Sequence, residues 1–332
     1  MQQDILTSTE VAQRITEGQT LLLAGEEKLF AQLPKGNWIG GTIPYFITPK
    51  QGGVATKEKI FVTDISTMAA SVRIQSYSQD ELGTVYGDGG NAGFSFIIIP
   101  AMTNAHSAFA LNAPNYNDFG ARPLIGWISG VHLDDLGKDT PKVFNGQTGE
   151  VIEQAAIVMH VTLPPGKTLD VGIVNIFEQC AGDTLTFSED GFSCKDVSVN
   201  GVKESFVNYI DRLKLDTKLP LVADYYGALI NTSFQSVDKD TGEVKFYAPV
   251  FSGVDYKHAR EVADYATAFT AQLQKIGLAE GSVIFSCNCI LNYLYSGLEG
   301  RNTAPFVGPI TFGEIAYQLL NQTLVYLQMQ DA

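Results

Sequence analysis

Short apolar runs bounded by glycine, proline or small polar residues recur from one end of the chain to the other. They limit the fold more than any other feature. They lie at residues 20–24 (TLLLA), 60–65 (IFVTDI), 94–99 (FSFIII), 124–129 (LIGWIS), 154–163 (QAAIVMHVTL), 168–177 (TLDVGIVNIF), 282–285 (SVIF) and 324–327 (LVYL). Runs of this length, rich in β-branched and aromatic residues, read as strands. Residues 143–146 and 154–163 read as a hairpin around Gly146 and Gly149. Helical periodicity is rarer. Residues 7–17 carry a Thr7/Glu10 capping box, Val11 and Ile15 four apart, and Gly18 as a stop. Residues 203–213 place Phe206, Val207, Ile210 and Leu213 on one face, and residues 256–276 do the same with Val262, Tyr265, Phe269, Leu273 and Ile276 before Gly277. Shorter helices are expected at 66–74 and 105–112. Strands spaced this closely, with few helices between them, argue against a doubly wound sheet. They predict an α+β fold of mixed, largely antiparallel sheets with flanking helices.

At roughly 100–200 residues per domain, a chain of 332 residues makes one large or two ordinary domains. A boundary near 200–215 divides the chain into two halves, 1–200 and 201–332, and with no Pro/Ser-rich linker there the halves are expected to share an interface. A formal charge of −14, with its 22 Lys and Arg scattered singly, argues against a nucleic acid or an anionic membrane as partner. No apolar run reaches the ~18 residues of a membrane span. The polar start MQQDILTSTEVAQR lacks the order of a signal peptide, so a cytoplasmic location is expected. Four cysteines (Cys180, Cys194, Cys287 and Cys289) suit a reducing compartment, and C-x-C alone is not a zinc pattern.

Candidate site residues lie where runs end. Gly40-Gly41, after Trp38-Ile39, is either a tightly packed strand end or the floor of a binding loop. The glycine-rich stretch 86–93 (YGDGGNAG) has neither the Lys-Ser/Thr of a phosphate loop nor a strand before it. Cys287 closes an apolar run, as a nucleophile could, but needs a base. Of the four histidines, none is fixed near it by sequence. His160 reads as structural and His258 as exposed at the head of the long helix. Glu314, after Gly313, can receive a ligand amine, pair with Arg301 or cap a turn. Asn321 opens the last apolar run. The expected ligand-binding set is Gly40, Gly41, Cys287, Gly313, Glu314 and Asn321, with no catalytic residue and no metal.

Three stretches near the end, FSC (285–287), FVGPITFGEI (306–315) and LNQTLVYL (320–327), resemble the FIST family of intracellular signal-transduction sensory domains. WIGGT (38–42), VFNG (143–146) and DVSVNGVKESFVNYI (196–210) resemble that family more loosely. Where the family often has Gly-Arg after Ser-Cys, this chain has Asn288-Cys289-Ile290. The resemblance implies a non-catalytic cytoplasmic sensor of a small ligand such as an amino acid. Its output would go to a separate signalling protein, and a homo-oligomer would be in keeping with it. Because some members bind haem and sense nitric oxide, a haem-binding gas sensor is one alternative. A cysteine-dependent hydrolase using Cys287 is the other.

Overall fold

In a computed structural model, the described residues are 3–90, 93–278 and 281–331. The strand-like runs become strands, and the fold is α+β with several mostly antiparallel sheets. The parallel pairings among the described strands are Leu21–Gly25 with Trp38–Thr42, Phe94–Pro100 with Leu124–Ser129, and Val283–Cys289 with Gly308–Thr311.

One six-stranded sheet contains Leu21–Gly25, Trp38–Thr42 and Val143–Asn145. A second runs from Gln318–Leu320 through Glu314–Ala316, Leu124–Ser129, Phe94–Pro100 and Ala156–Thr162 to Ser71–Tyr77 at its edge. A third orders Lys167–Val174, Leu324–Asp331, Val283–Cys289, Gly308–Thr311, Tyr45–Thr48 and Gly52–Ala55. All three mix segments from the first 174 residues with one another or with segments beyond 283, and one continuous apolar core spans them. Two further sheets, built from strands between Leu185 and His258, enclose a separate core around Phe187, Phe206, Phe234, Phe246 and Tyr256. Position 200 falls inside this second unit, in the turn of the hairpin Asp196–Val199/Val202–Ser205. The halves 1–200 and 201–332 therefore share sheets, not merely an interface.

Helix Ser8–Thr16 forms where its capping box predicts, with Thr7 and Glu10 bonded reciprocally and Val11 and Ile15 buried. Three expectations are corrected. Residues 66–74 are not helical: Ser71–Tyr77 is a strand paired antiparallel with Ala156–Thr162, and alternation turns Val72 and Ile74 onto the core. The 143–146 run pairs with Glu150–Ile152 and Trp38–Thr42, while Ala156–Thr162 joins the other sheet. The long helix is shorter than 256–276. It begins at Tyr265, where the Asp264 carboxylate accepts from Thr267 N–H at 3.0 Å, and it ends at Gly277 in the left-handed region. Tyr256–His258 before it is a strand pairing with Leu221–Ala223, so His258 is a half-buried sheet residue rather than an exposed helical one.

Candidate functional site

Strand Val283–Cys289 is buried along its whole length, flanked by Leu324–Asp331 on one side and Gly308–Thr311 on the other. With a side-chain period of two, Cys287 and Cys289 project to the same face. The Cys287 thiol donates to the Gly126 carbonyl at 3.3 Å. Cys289 sits two residues further on, beside the carboxyl of Glu314. Burial, followed by the Glu314 charge, pushes both thiols well above their ordinary value. A thiol raised this way carries little thiolate at neutral pH and is a poor nucleophile.

Glu314 stands opposite Trp127 in the antiparallel pair Glu314–Ala316/Leu124–Ser129 and has no solvent exposure. Its Oε2 accepts from Thr323 N–H at 3.2 Å and from Thr323 Oγ1 at 2.8 Å, whereas Oε1 has no partner. Burial pushes its pKa up to about 8, against the pull of Thr323 and Cys289. The group is therefore mostly a neutral acid at pH 7. It makes no pair with Arg301.

Asn321 and its neighbours tie this strand end to the second unit. Asn321 Oδ1 accepts from Ser233 N–H at 3.2 Å and from Ser233 Oγ at 2.7 Å. Asn231 Nδ2 donates to Asn175 Oδ1 at 3.1 Å and to the Asn321 carbonyl at 3.2 Å. Asn321 Nδ2 is buried and has no partner.

A cavity of about 330 Å³ opens between the three-sheet body and the 185–258 unit. The body contributes Met102, His106, Cys289, Phe312 and Asn321, and the second unit contributes Phe192, Gln235, Phe246 and Tyr247. No Lys, Arg, Asp or Glu lines it among the described residues. Three of the chain's exposed large apolar side chains, Met102, Leu136 and Tyr247, lie on its wall.

His106 is placed by helix Asn104–Asn112, whose N-cap Thr103 accepts from His106 N–H at 3.1 Å. Its Nδ1 accepts from Met102 N–H at 3.3 Å. That bond assigns the ring proton to Nε2, which is buried and has no partner. Its ring stands edge-on to Phe192, with centroids 6.0 Å apart. Burial lowers its pKa to about 4, so the ring is neutral at physiological pH. Two residues of its wall thus carry buried, unpartnered N–H donors, His106 Nε2 and Asn321 Nδ2, in a surround that is apolar and aromatic apart from Ser107 and Gln235.

Of the six expected site residues, Asn321 lines this cavity and Glu314 stands directly behind Cys289, which does. The other four lie elsewhere. Cys287 points at Gly126, and the Gly313 carbonyl accepts from Thr311 Oγ1 and Ile128 N–H inside the sheet. Gly40 and Gly41 are packing positions. A Cβ on Gly40 would lie 2.9 Å from the Phe30 ring, and one on Gly41 would lie 2.7 Å from Ile98 Cγ2. The packed-strand alternative, not the loop floor, describes them. Sequence reasoning passed over His106, Cys289, Phe192 and Tyr247. Only Cys289 left a usable signal, through its two-residue offset from Cys287.

Over residues 6–330 the chain matches a family described as a family of unknown function (DUF6976). Among curated proteins, none matches it.

Proposed function

We propose that this chain, which belongs to the family of unknown function DUF6976, is a non-catalytic binding protein for one small, uncharged, largely apolar molecule that carries a hydrogen-bond acceptor. We read it as a sensor whose ligand sits between the two units and whose state is passed to a separate protein. The observation that carries this reading is the pair of buried, unpartnered donors, His106 Nε2–H and Asn321 Nδ2–H, on two residues that line a largely apolar cavity of about 330 Å³. A buried donor without a partner costs about 1–3 kcal/mol, which an acceptor on a ligand would recover. A cavity wall without charged side chains favours an uncharged ligand, because an ion leaving water would find no counter-charge there. This departs from the amino-acid ligands that the FIST-like stretches imply, while the sensory role remains in keeping with them.

Two features favour binding over catalysis. The Cys289 thiol is raised by burial and by Glu314, and no imidazole is among the groups acting on it. The Cys287 thiol is committed to a backbone carbonyl. Haem gains no support from His106, because the tautomer set by Met102 N–H leaves Nε2 protonated and without a lone pair for iron.

The test is thermal unfolding of the full chain against a panel of uncharged carbonyl compounds with aromatic or aliphatic bodies, alongside the free amino acids. Ligands that bind the folded state raise its midpoint in a concentration-dependent way. We expect hits among the uncharged compounds. We also expect His106→Phe, which keeps a ring and removes the donor, to weaken the best hit about tenfold or more in calorimetric titration. Hits confined to charged amino acids, or equal affinity in the variant, would defeat the reading.

A further inference from the structure

Residues 86–90 of the glycine-rich stretch play no part in the cavity, yet they fold against an unusual group. Arg122 is only 7% exposed. Its Nη1 donates to the Gly90 carbonyl at 3.1 Å. Its Nε and Nη2 are buried and have no partner. These two N–H groups form one straight edge of the guanidinium, the edge that grips both oxygens of a carboxylate or two oxygens of a phosphate side by side. The turn Gly87–Gly89 packs against the group, where a Cβ at Gly89 would fall 1.9 Å from Nη1, 2.3 Å from Cζ and 2.7 Å from Nε. Only glycine at 89 leaves room for the guanidinium in this place.

The surroundings supply no anion for that edge. Arg73, on the edge strand Ser71–Tyr77, donates to the Asp88 carbonyl and adds a second positive charge. Two carboxylates stand at this turn and neither is bonded to that edge: Asp118 Oδ2 lies beside Gly87, and Asp88 Oδ2 accepts from Tyr77 OH at 3.1 Å and from Thr84 Oγ1 at 2.7 Å. Tyr77 OH in turn meets His160 Nε2 at 2.8 Å, and Ser95 Oγ meets His160 Nδ1 at 2.7 Å. A neutral His160 satisfies the whole chain, with Ser95 donating to Nδ1, Nε2–H donating to Tyr77 and Tyr77 donating to Asp88. The imidazole therefore offers nothing to Arg122. Among the described residues no carboxylate is paired with Arg122. A buried cation without a counter-charge is strongly disfavoured, and in a chain of net charge −14 such a place stands out.

We propose that this corner is a second binding site, in which the Nε/Nη2 edge of Arg122 holds a small oxyanion, the carboxylate or phosphate group of a metabolite. The site shares no residue with the apolar cavity and selects the opposite chemistry, an anion rather than an uncharged molecule. Neither donor has accessible surface in this conformation, so an anion reaches them only through local opening, and samples are preincubated with the anion.

Inorganic phosphate and acetate are titrated separately into the full chain, with sodium chloride at equal ionic strength as the reference, and thermal unfolding is followed. The expected result is a saturable rise in midpoint with at least one anion. Phosphate alone assigns a phosphate group, acetate alone a carboxylate, and a response to both the shared chemistry. Arg122→Lys keeps the charge without the paired edge and should raise the half-saturating concentration on the order of tenfold. Arg122→Gln should abolish the response, and His106→Phe should leave it intact. The proposal is overturned if neither anion exceeds sodium chloride in the wild-type chain, an outcome that requires no variant to fold. It is equally overturned if a folded Arg122→Lys or Arg122→Gln chain responds as the wild type does.

Discussion

Glu314 gives the site a pH signature of its own. Its folded pKa, about 8, lies above the ordinary carboxylate value because the group is fully buried. Between roughly pH 4.5 and 8 the folded chain keeps a proton that the unfolded chain has released. More protons bound in the folded state mean that stability falls as pH rises through this window and levels off above it. Glu314→Gln retains an oxygen to accept from Thr323 and cannot ionise. It should remove this slope and leave the protein more stable at pH 9 by a few kcal/mol, on the order expected of a carboxyl raised this far. Urea midpoints of both chains at pH 5, 7 and 9 check it. Parallel pH curves for the two would show that Glu314 stays ionised when buried. His106, lowered to about 4, and His160, lowered to about 3, act in the opposite sense below pH 6.5 and are common to both chains. At this scale the sequence was informative where a residue's role follows from its own strand. Glu314 and Asn321 were legible as polar groups at strand ends. His106 was not, because its place opposite Phe192 depends on a helix meeting a strand about 80 residues away in sequence.

Whether an apolar run becomes a strand was legible; which strand it pairs with was not. The 94–99 run, too apolar to be half-exposed, is the central strand Phe94–Pro100 of its sheet, with neighbours Leu124–Ser129 and Ala156–Thr162. The 66–74 segment misled because Met68-Ala69-Ala70 favours a helix locally, while the edge of an adjoining sheet offers 71–77 a complete ladder. Gly40 and Gly41 were ambiguous for a related reason: a glycine pair looks the same whether a ligand or another side chain occupies the space beside it. Strand Trp38–Thr42 is buried throughout, and the Gly41 position faces Ile98, the Trp127 indole and Ser129 across the body. Gly41→Ala should therefore destabilise the chain by about 1–3 kcal/mol through overpacking. It should leave the affinity of any cavity ligand unchanged. A urea curve and a titration on the same preparation separate the two effects. Lost affinity with unchanged stability would restore Gly41 to the binding site.

For the whole molecule, the chain order conceals the architecture. The sequence shows a helix after Asn200-Gly201 and invites a cut there, yet that turn joins two strands of one hairpin. The body is discontinuous: Lys167–Val174 pairs along its full length with Leu324–Asp331, and Gly308–Thr311 bonds to Tyr45–Thr48. The 185–258 unit lies between these partners, and the pairing of Leu185 with Tyr256 brings its ends together. This layout puts the cavity on a seam, where binding sites commonly lie. It brings Phe246 and Tyr247 of one unit and Cys289 and Asn321 of the other onto one cavity wall. It also has a direct consequence for dissection. A fragment 201–332 keeps Val283–Cys289 and Leu324–Asp331 but loses both outer neighbours of that sheet, so two strand edges and the apolar face behind them meet water. Such a fragment should show no cooperative urea transition and little amide protection in hydrogen exchange, where the full chain protects both strands. A fragment 201–332 that unfolds cooperatively, with 283–289 and 324–331 protected, would mean that the sheet does not depend on its N-terminal strands. The cavity wall at Cys289 and Asn321 would then belong to a C-terminal unit able to fold without them, rather than to a seam that exists only when the whole chain is folded.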